Sequence, residues 1–593
     1  MNAAQHPLEP GNPITDNMDV WTSAILKKSA SGRGSNSKQE AYGIKKLREL
    51  ILELAVRGKL VSQDPSDEPA SELLRKVSAL KQKLIKEKRI KKQKTLQPIS
   101  KEEKLFELPH GWEWVRLGEF TSYGISDKAE AKDVTASTWV LELEDVEKET
   151  SRLLQKKRFS EREFKSSKNR FLKGDVIYGK LRPYLDKVLV ADEDGVCTTE
   201  MIPVRAYCGM TPEFLRLVMK SPYFKEYANN STHGMNLPRM GTDKARLAII
   251  PCIPENEQHR IIAKVDELMA LCDQLEQQQT DNIQAHQILV ETLLGTLTRV
   301  ESSKEFTEAW NRIANHFDTL LTTEHSIDQL KQTILQLAVM GKLAPQDPND
   351  EPAMKLLEKI AKEKEQQIKM QKIKKQKALL PISEEDKPFR IPEGWVWSRI
   401  GDASITTAYG LSDKATAGGE GVPVLAMGHI QSGSVLLDAK TVVQESVESL
   451  PELYLEHRDL LYNRTNSAEL VGKTGIFLGN DNEHTFASYL IRIRTDKHSM
   501  LPEFININML SPVFRETQIV PHLKQQCGQA NVNGTIMKNM LVAIPPAKEQ
   551  LRIVSKVDEL MTLCETLKTR INNAQTTQLH LADAIVERAV DVR

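Results

Sequence analysis

Apolar residues recur in alternating steps of three and four from Ile553 to Ile585. Ile553, Val557, Leu560, Cys564, Leu567, Ile571, Ala574, Leu581 and Ile585 share one face, interrupted by Gln578. This spacing predicts a long helix with a heptad seam, which needs a partner to bury it. The same seam stands 292 residues earlier, at Ile261, Val265, Leu268, Cys272 and Leu275. There it runs into Gln279, Asn282 and His286 before Leu289 and Leu293 resume it. Two readings of that interruption stay open: a locally shifted or frayed helix, and a polar layer that fixes register. A helix of about 40 residues is about 60 Å long.

Shorter amphipathic runs supply the partners. In "SIDQLKQTILQLAVMGKL" Leu330, Ile334, Leu337 and Leu343 fall near one face, and Gly341 reads as a helix stop. "IKKLRELILELAVRGKL" is its twin, with Gly58 in the same role. The twinning extends further. "LAVRGKLVSQDPSDEPA" (54–70) and "LAVMGKLAPQDPNDEPA" (337–353) agree at 13 of 17 positions, and this offset of 283 holds without a gap as far as Gly118 and Gly401. A second matched block, "IPENEQHRIIAKVDELMALCDQL" and "PPAKEQLRIVSKVDELMTLCETL", stands at an offset of 292. The chain is a tandem duplication whose fronts and backs match and whose middles diverge.

The expected organisation follows: a mobile N-terminal tail at 1–43; a first helix and basic arm at 44–118; a variable domain at 119–250; a central helical region with a second basic arm at 251–401; a second variable domain at 402–543; and a C-terminal helix at 544–593. At the chain centre a long helix is followed by its short partner, after a connector at about 300–325. At the ends the short helix comes first and the long one last, so the N-terminal helix is expected to pack on the C-terminal one. The fold class is α/β (or α+β) domains in tandem, joined by long antiparallel coiled-coil helices in a circular, pseudo-twofold arrangement.

Three carboxylates in the repeated turn (Asp64, Asp67, Glu68; Asp347, Asp350, Glu351) raise a metal site, but Asp-Pro and Glu-Pro read better as helix breakers and caps. Basic segments follow at 75–94 and 358–377; each is a solvated face or a phosphate-backbone contact. Gly-Trp-x-Trp (Trp112, Trp114; Trp395, Trp397) places alternate rings on one strand face, to be packed into the base of each domain rather than stacked on a nucleobase.

Charge adds little: 81 basic residues balance 81 acidic ones in a chain of 593. No apolar run is long enough to span a bilayer, and the N-terminus lacks the apolar stretch of a signal peptide, so a cytoplasmic location is expected. The cysteines form no C-x-x-C pair, and no metal is expected. Catalytic motifs are missing from both halves. "SAELVGKT" (467–474) ends like a P-loop without its glycine-rich start, and no G-x-G-x-x-G, H-E-x-x-H or G-x-S-x-G is present.

The divergent middles instead carry polar and basic side chains near glycines. In the first copy these are Tyr123, Ser126 and Lys128; Lys180, Arg182, Tyr184 and Lys187; and His233, Asn236, Arg239 and Lys244. In the second they are Tyr409, Ser412 and Lys414; Arg464, Asn466 and Lys473; and Lys524, Gln525, Gln529, Asn531 and Asn533. Arg and Lys suit the major-groove edge of guanine, and Asn and Gln that of adenine, so loops of this composition could read base edges.

The duplicated "LAVRGKL/LAVMGKL", the entrances "LPHGWEWVRLG" and "IPEGWVWSRIG", the exits "IPCIPENEQHRI" and "AIPPAKEQLRI" and the long heptad helices together resemble the specificity subunits of type I restriction-modification systems, from about 44 to 590. The resemblance implies two target recognition domains, each reading half of a split, asymmetric site in double-stranded DNA. The helices would set the gap between half-sites about one DNA turn, near 34 Å, apart, and would form the docking surface for partner subunits. It implies no catalysis in this chain. Two modification subunits would methylate adenine N6 with S-adenosylmethionine, flipping the base themselves, and two restriction subunits would use ATP and Mg to translocate and cut. A coiled-coil adaptor joining two protein-binding domains, with no DNA contact, is the competing reading. Salt separates them, since phosphate contacts weaken steeply between about 50 and 200 mM.

Overall fold

The computed structural model describes residues 12–28, 38–90, 95–125, 127–234, 236–526 and 529–591. Eight helices carry the argument: α1 (Tyr42–Val56), α2 (Ala70–Lys86), α3 (Pro212–Lys220), α4 (Glu255–Arg299), α5 (Glu324–Val339), α6 (Ala353–Lys369), α7 (Pro502–Leu510) and α8 (Ala547–Asp591). The chain divides into two compact units, one of residues 1–282 with 574–593 and the other of residues 283–573. Each unit is a mixed sheet-and-helix domain built on helices, as the patterning predicts.

In the first unit the seam residues Ile261, Val265 and Cys272 are buried with Leu47, Leu50, Ile51 and Leu54 of α1, and Leu268 and Leu275 pack at the margin. Ala582 is buried in the same core, with Leu579, Ile585 and Val586 against it. The Tyr42 hydroxyl donates to Asp583 (2.8 Å), and Lys46 pairs with the same carboxylate at 3.0 Å. The N-terminal helix thus meets the C-terminal one, as the order of blocks requires. The second unit repeats the arrangement with α5: Leu330, Ile334 and Leu337 are buried with Val290, Leu294 and Leu297 of α4 and with Ile553, Val557 and Cys564 of α8, flanked by Leu560 and Leu567. Within each unit the seam therefore closes on the short helix expected as its partner, and on the globular core beside it. A heptad stripe is satisfied by any apolar ridge, and here a four-turn helix supplies it.

Two expectations change, and the connector gains an element. The segment assigned to a mobile tail contains a short helix, Met18–Ser23, whose Trp21 is fully buried and donates its indole N–H to the Ile14 carbonyl (3.0 Å). Gly43 lets this turn approach, since a Cβ there would lie 2.4 Å from the Trp21 carbonyl oxygen. One large ring buried on a waiting core outweighs a polar composition. The interruption at Gln279 and His286 leaves α4 continuous from Glu255 to Arg299. Gln279 Nε2 donates to the Thr22 carbonyl, and His286 Nε2 lies 3.2 Å from the Thr319 carbonyl. The polar side chains bond backbone that lies against the helix, so neither fraying nor a register layer is needed. The connector at 300–325 is itself helical over Ser303–Ala314, opened by a capping box of Ser302 and Glu305.

The repeated turn is a mount. Gly58 (φ +68°) ends α1 in a Schellman motif, with Lys59 N–H donating to Leu54 C=O (2.9 Å). A Cβ at Gly58 would lie 2.4 Å from Pro109 Cγ and 3.1 Å from Trp112 Cη2; at Gly341 (φ +70°) it would meet Pro392 and Trp395 in the same way. Trp112 donates to Glu257 (2.9 Å) and Trp395 to Glu549 (3.0 Å), all four buried. Burial raises both carboxyl pKa values, and the indole bond opposes that rise. Asp67 takes Arg260 at 2.6 Å and Asp350 takes Arg552 at 2.6 Å, while Asp64 and Asp347 cap their own turns. No three potential metal-binding side chains cluster among the described residues.

Each divergent domain hangs on a two-stranded neck. Glu113–Arg116 pairs antiparallel with Ile249–Cys252, and Val396–Arg399 with Leu541–Ile544. Entrance and exit thus lie side by side, which is how a domain can change while its mount does not. The helical parts of the basic arms belong to α2 and α6. Each lies on its own domain through Ala70, Leu73 and Val77, or Ala353, Leu356 and Ile360. One lysine per arm turns inward: Lys81 donates to the Glu119 carbonyl (2.9 Å) and Lys364 to the Gly401 carbonyl (2.6 Å), and burial pushes Lys364 down to about 8. The other described lysines and arginines of the arms are exposed, and residues 91–94 lie outside the described residues. No helix among the described residues is long and apolar enough to cross a membrane.

Candidate nucleic-acid interface

Two loops that stand far apart in sequence meet in the first unit. Strand β1 (Val176–Gly179) is fully buried and ends in the loop 180–187. The hairpin of β2 (Thr232–His233) and β3 (Arg239–Met240) is laid against that loop. Leu181 bridges Arg239, Arg182 N–H donates to the Pro238 carbonyl (2.7 Å), and Met240 N–H donates to the Lys180 carbonyl (3.0 Å). Arg182 and Asp186 are both left-handed (φ +51° and +52°), which turns the loop outward at Pro183–Leu185. Arg182, Tyr184, His233, Asn236 and Lys244 are exposed, with Tyr184 at 51%.

The second unit repeats the convergence with other residues. Strand β4 (Leu460–Asn463) leads into β5 (Thr465–Asn466), which pairs with the later strand β7 (Gln529–Asn531), itself paired with β6 (Lys524–Gln526). Arg464 is the joint. Its Nε donates to the Ser488 carbonyl (2.9 Å), its Nη1 to Asn531 Oδ1 (3.3 Å), and its guanidinium lies 5.1 Å from the centre of the Tyr409 ring. The Tyr409 hydroxyl accepts from Gly534 N–H (2.6 Å), leaving the ring 46% exposed. Ser412, Lys414 and Lys473 are exposed nearby in sequence.

Both loops grow from a strand fixed at its start by a buried carboxylate. Asp175 takes Arg205 through two bonds (2.6 and 2.7 Å), and Asp459 takes Arg494 likewise (2.8 and 2.6 Å). The segments "DVIYGKLR" (175–182) and "DLLYNRTN" (459–466) are therefore one device, a pinned strand that presents a loop.

Several candidates serve the fold. Tyr123 is buried at 1%, its hydroxyl has no bonding partner, and its ring lies 6.4 Å from Tyr178; it is a core residue with no face to offer DNA. Tyr409, at the same place in the repeated Y-G-x-S-D-K-A, is exposed, with Arg464 over its ring. Lys187 donates to the Leu143 carbonyl (2.7 Å), Lys128 to Asn169, and Arg239 pairs with Glu200 at 3.0 Å. Asn533 caps the short helix that follows it, and Asn466 accepts from Ser467 N–H (2.8 Å). Ser126 lies outside the described residues, as do the side chains of Lys524, Gln525 and Gln529. Two exposed residues were not singled out from sequence: Leu237 at the tip of the first hairpin and Tyr489, whose carbonyl accepts from Arg464 N–H (3.1 Å). Tyr489 is hidden in "FASYLIRIR", which reads as an ordinary strand.

The second half of the chain, residues 392–575, matches the type I restriction modification DNA specificity domain. The chain is 40% identical over 592 residues to the Escherichia coli type I restriction enzyme EcoAI specificity subunit, covering 98% of this chain and 99% of the relative. It is a type I restriction-modification specificity subunit. The Escherichia coli EcoEI specificity subunit is 38% identical over 595 residues, covering 98% and 99%. A solved HsdS subunit from Thermoanaerobacter tengcongensis covers 82% of this chain and 99% of its own, at 17% identity and a TM-score of 0.43. In this specificity subunit the two divergent domains present, on matched mounts, the surfaces just described.

Proposed function

We propose that the chain reads a bipartite, asymmetric site in double-stranded DNA, one half-site per divergent domain. It would hold modification and restriction subunits that do the chemistry elsewhere, with S-adenosylmethionine, ATP and Mg bound by those partners. The observation that carries this reading is the convergence, in each unit, of a pinned strand's loop with a distant hairpin. The two surfaces share a plan and differ in content: Arg182, Tyr184, His233 and Asn236 in one, Tyr409, Arg464 and Asn531 in the other. Different side chains on equal mounts fit two unlike half-sites, because donors and acceptors on base edges are told apart by side-chain type and position. Lys244, Lys414 and Lys473 suit phosphates.

The test exchanges residues 119–250 for the corresponding domain of another specificity subunit and maps methylated adenines in cells that carry the complex. One half of the recognition motif should change and the other persist. A change in both halves, or in neither, would overturn the assignment of one half-site to each domain.

A further inference from the structure

The loop 180–187 is held from behind by a buried lysine whose counterpart in the second unit is a leucine. Lys220, the last residue of α3, is 8% exposed. Its ammonium donates to the Glu149 carbonyl (2.9 Å), Ser151 Oγ (2.7 Å) and Asp186 Oδ2 (3.2 Å). Ser151 Oγ in turn donates to the Asp186 carbonyl (2.6 Å) and accepts from Val188 N–H (3.0 Å). Glu149 N–H donates to the Leu185 carbonyl (2.9 Å). The clasp holds three residues in left-handed conformations, Glu149 (φ +66°), Ser151 (φ +59°) and Asp186 (φ +52°), and Arg182 (φ +51°) stands at the other end of the loop. Four non-glycine residues do not keep such backbone angles unless their surroundings over-determine them.

The second unit shows the same helix end without the lysine; its loop is held instead by Arg515, which donates to the Val471 (3.0 Å) and Ala468 (2.7 Å) carbonyls. "TPEFLRLVMK" aligns with "LPEFININML", so Leu510 of α7 stands for Lys220. There the facing turn is met by Asn506, which donates to the Gly433 carbonyl (2.8 Å), and by Leu510, whose Cδ1 would lie 2.8 Å from a Cβ at Gly433. An apolar end to this helix is therefore compatible with the fold. A buried ion pair is a poor source of stability compared with apolar packing, because both charges leave water. What Lys220 and Asp186 supply is geometry.

We propose that Lys220, through Asp186 and Ser151, is a positioning residue that sets the pose of Arg182 and Tyr184 and thereby the sequence discrimination of the first domain. This rests on the DNA-reading assignment above. Burial pushes the Lys220 ammonium down to about 8 and the Asp186 carboxyl up, so the clasp is held at a cost.

Two variants test it in the complete complex, with the host chromosome as the probe and methylated-adenine mapping as the readout. Lys220→Leu writes the residue of the second unit into the first. Lys220→Leu with Asp186→Asn removes both charges, so that no carboxylate is left buried without its partner. The expected result is a motif whose one half relaxes at a base position by roughly tenfold or more, the worth of one good base contact, while the other half is unchanged. The double variant should recover thermal stability and keep the relaxed half. Wild-type discrimination in a folded double variant would overturn the proposal, as would equal relaxation of both halves, which marks general softening. Absence of any bipartite motif from the wild-type complex would instead overturn the DNA-reading assignment itself.

Discussion

The mounts of the two units agree almost atom for atom in their logic, and the readers agree only in plan. Trp112 and Trp395 reach the equivalent buried carboxylates Glu257 and Glu549, and Asp67 and Asp350 hold the equivalent arginines. Across the neck strands this agreement ends. Tyr123 is core where Tyr409 is surface, and the buried lysine of one unit stands at the position that Leu510 takes in the other. Both parts bury large rings, Trp112 and Trp395 in the mounts and Trp139, Phe171, Phe477 and Phe486 in the domains; what sets the domains apart is the unlike loops they expose. The two parts should accordingly fail in different ways.

The mount should show the largest effects, and equal ones. Trp112→Ala and Trp395→Ala each remove a buried indole and the hydrogen bond it gives to a buried carboxylate. Each should cost about 3–5 kcal/mol, read by chemical denaturation of the full chain. A cost below about 1 kcal/mol at either position would show that the two mounts are not energetically equivalent.

The clasp should separate the units by pH. A lysine held near 8 in the folded chain and near 10.5 when unfolded leaves the unfolded state with more bound protons between those values. Its contribution to stability is therefore present above about 10.5 and lost as pH falls through about 8. Asp186, Arg216 and Lys225 face the ammonium, and Arg216 and Lys225 remain in the Lys220→Leu, Asp186→Asn double variant. Wild type should gain on that variant as pH rises from about 8 to about 10.5, by up to about 3 kcal/mol at about 1.4 kcal/mol per pK unit. A flat difference curve would mean that Lys220 is not depressed.

In the second reader Arg464 is the residue to break. It is bonded to Ser488 and Asn531 and lies over Tyr409. Arg464→Ala should relax one base position in that unit's half-site by about 1–3 kcal/mol, leaving the other half-site intact in methylation maps. Loss of both half-sites together would assign Arg464 to the fold.

What could be read from the sequence follows the same division. The mount was legible because it is written twice, and the helix stops at Gly58 and Gly341 could be placed from one copy against the other. The reading loops were legible as glycine-rich polar segments, but not their convergence. The pairing of Leu181 with Arg239, or of Thr465 with Asn531, joins residues dozens of positions apart and leaves no local periodicity. Lys220 was invisible because "LVMKSPYF" reads as a helix ending in a solvated charge. Trp21 was missed because polar flanks conceal one large anchor.

The smallest effects should come from the glycines that join helix to neck, and they test whether the mount is as symmetric as it looks. Gly58→Ala and Gly341→Ala each force a Cβ into a left-handed residue, at about 1–2 kcal/mol, and into Pro109 or Pro392 at 2.4 or 2.5 Å. The ring must move for the Cβ to fit, and Trp112 or Trp395 packs behind it. If that shift stays within the mount, both variants lose similar stability in denaturation while both half-sites keep their sequence. If one variant instead relaxes its own half-site, the neck transmits displacement to the reader, and mount and reader are less separable than their sequences suggest.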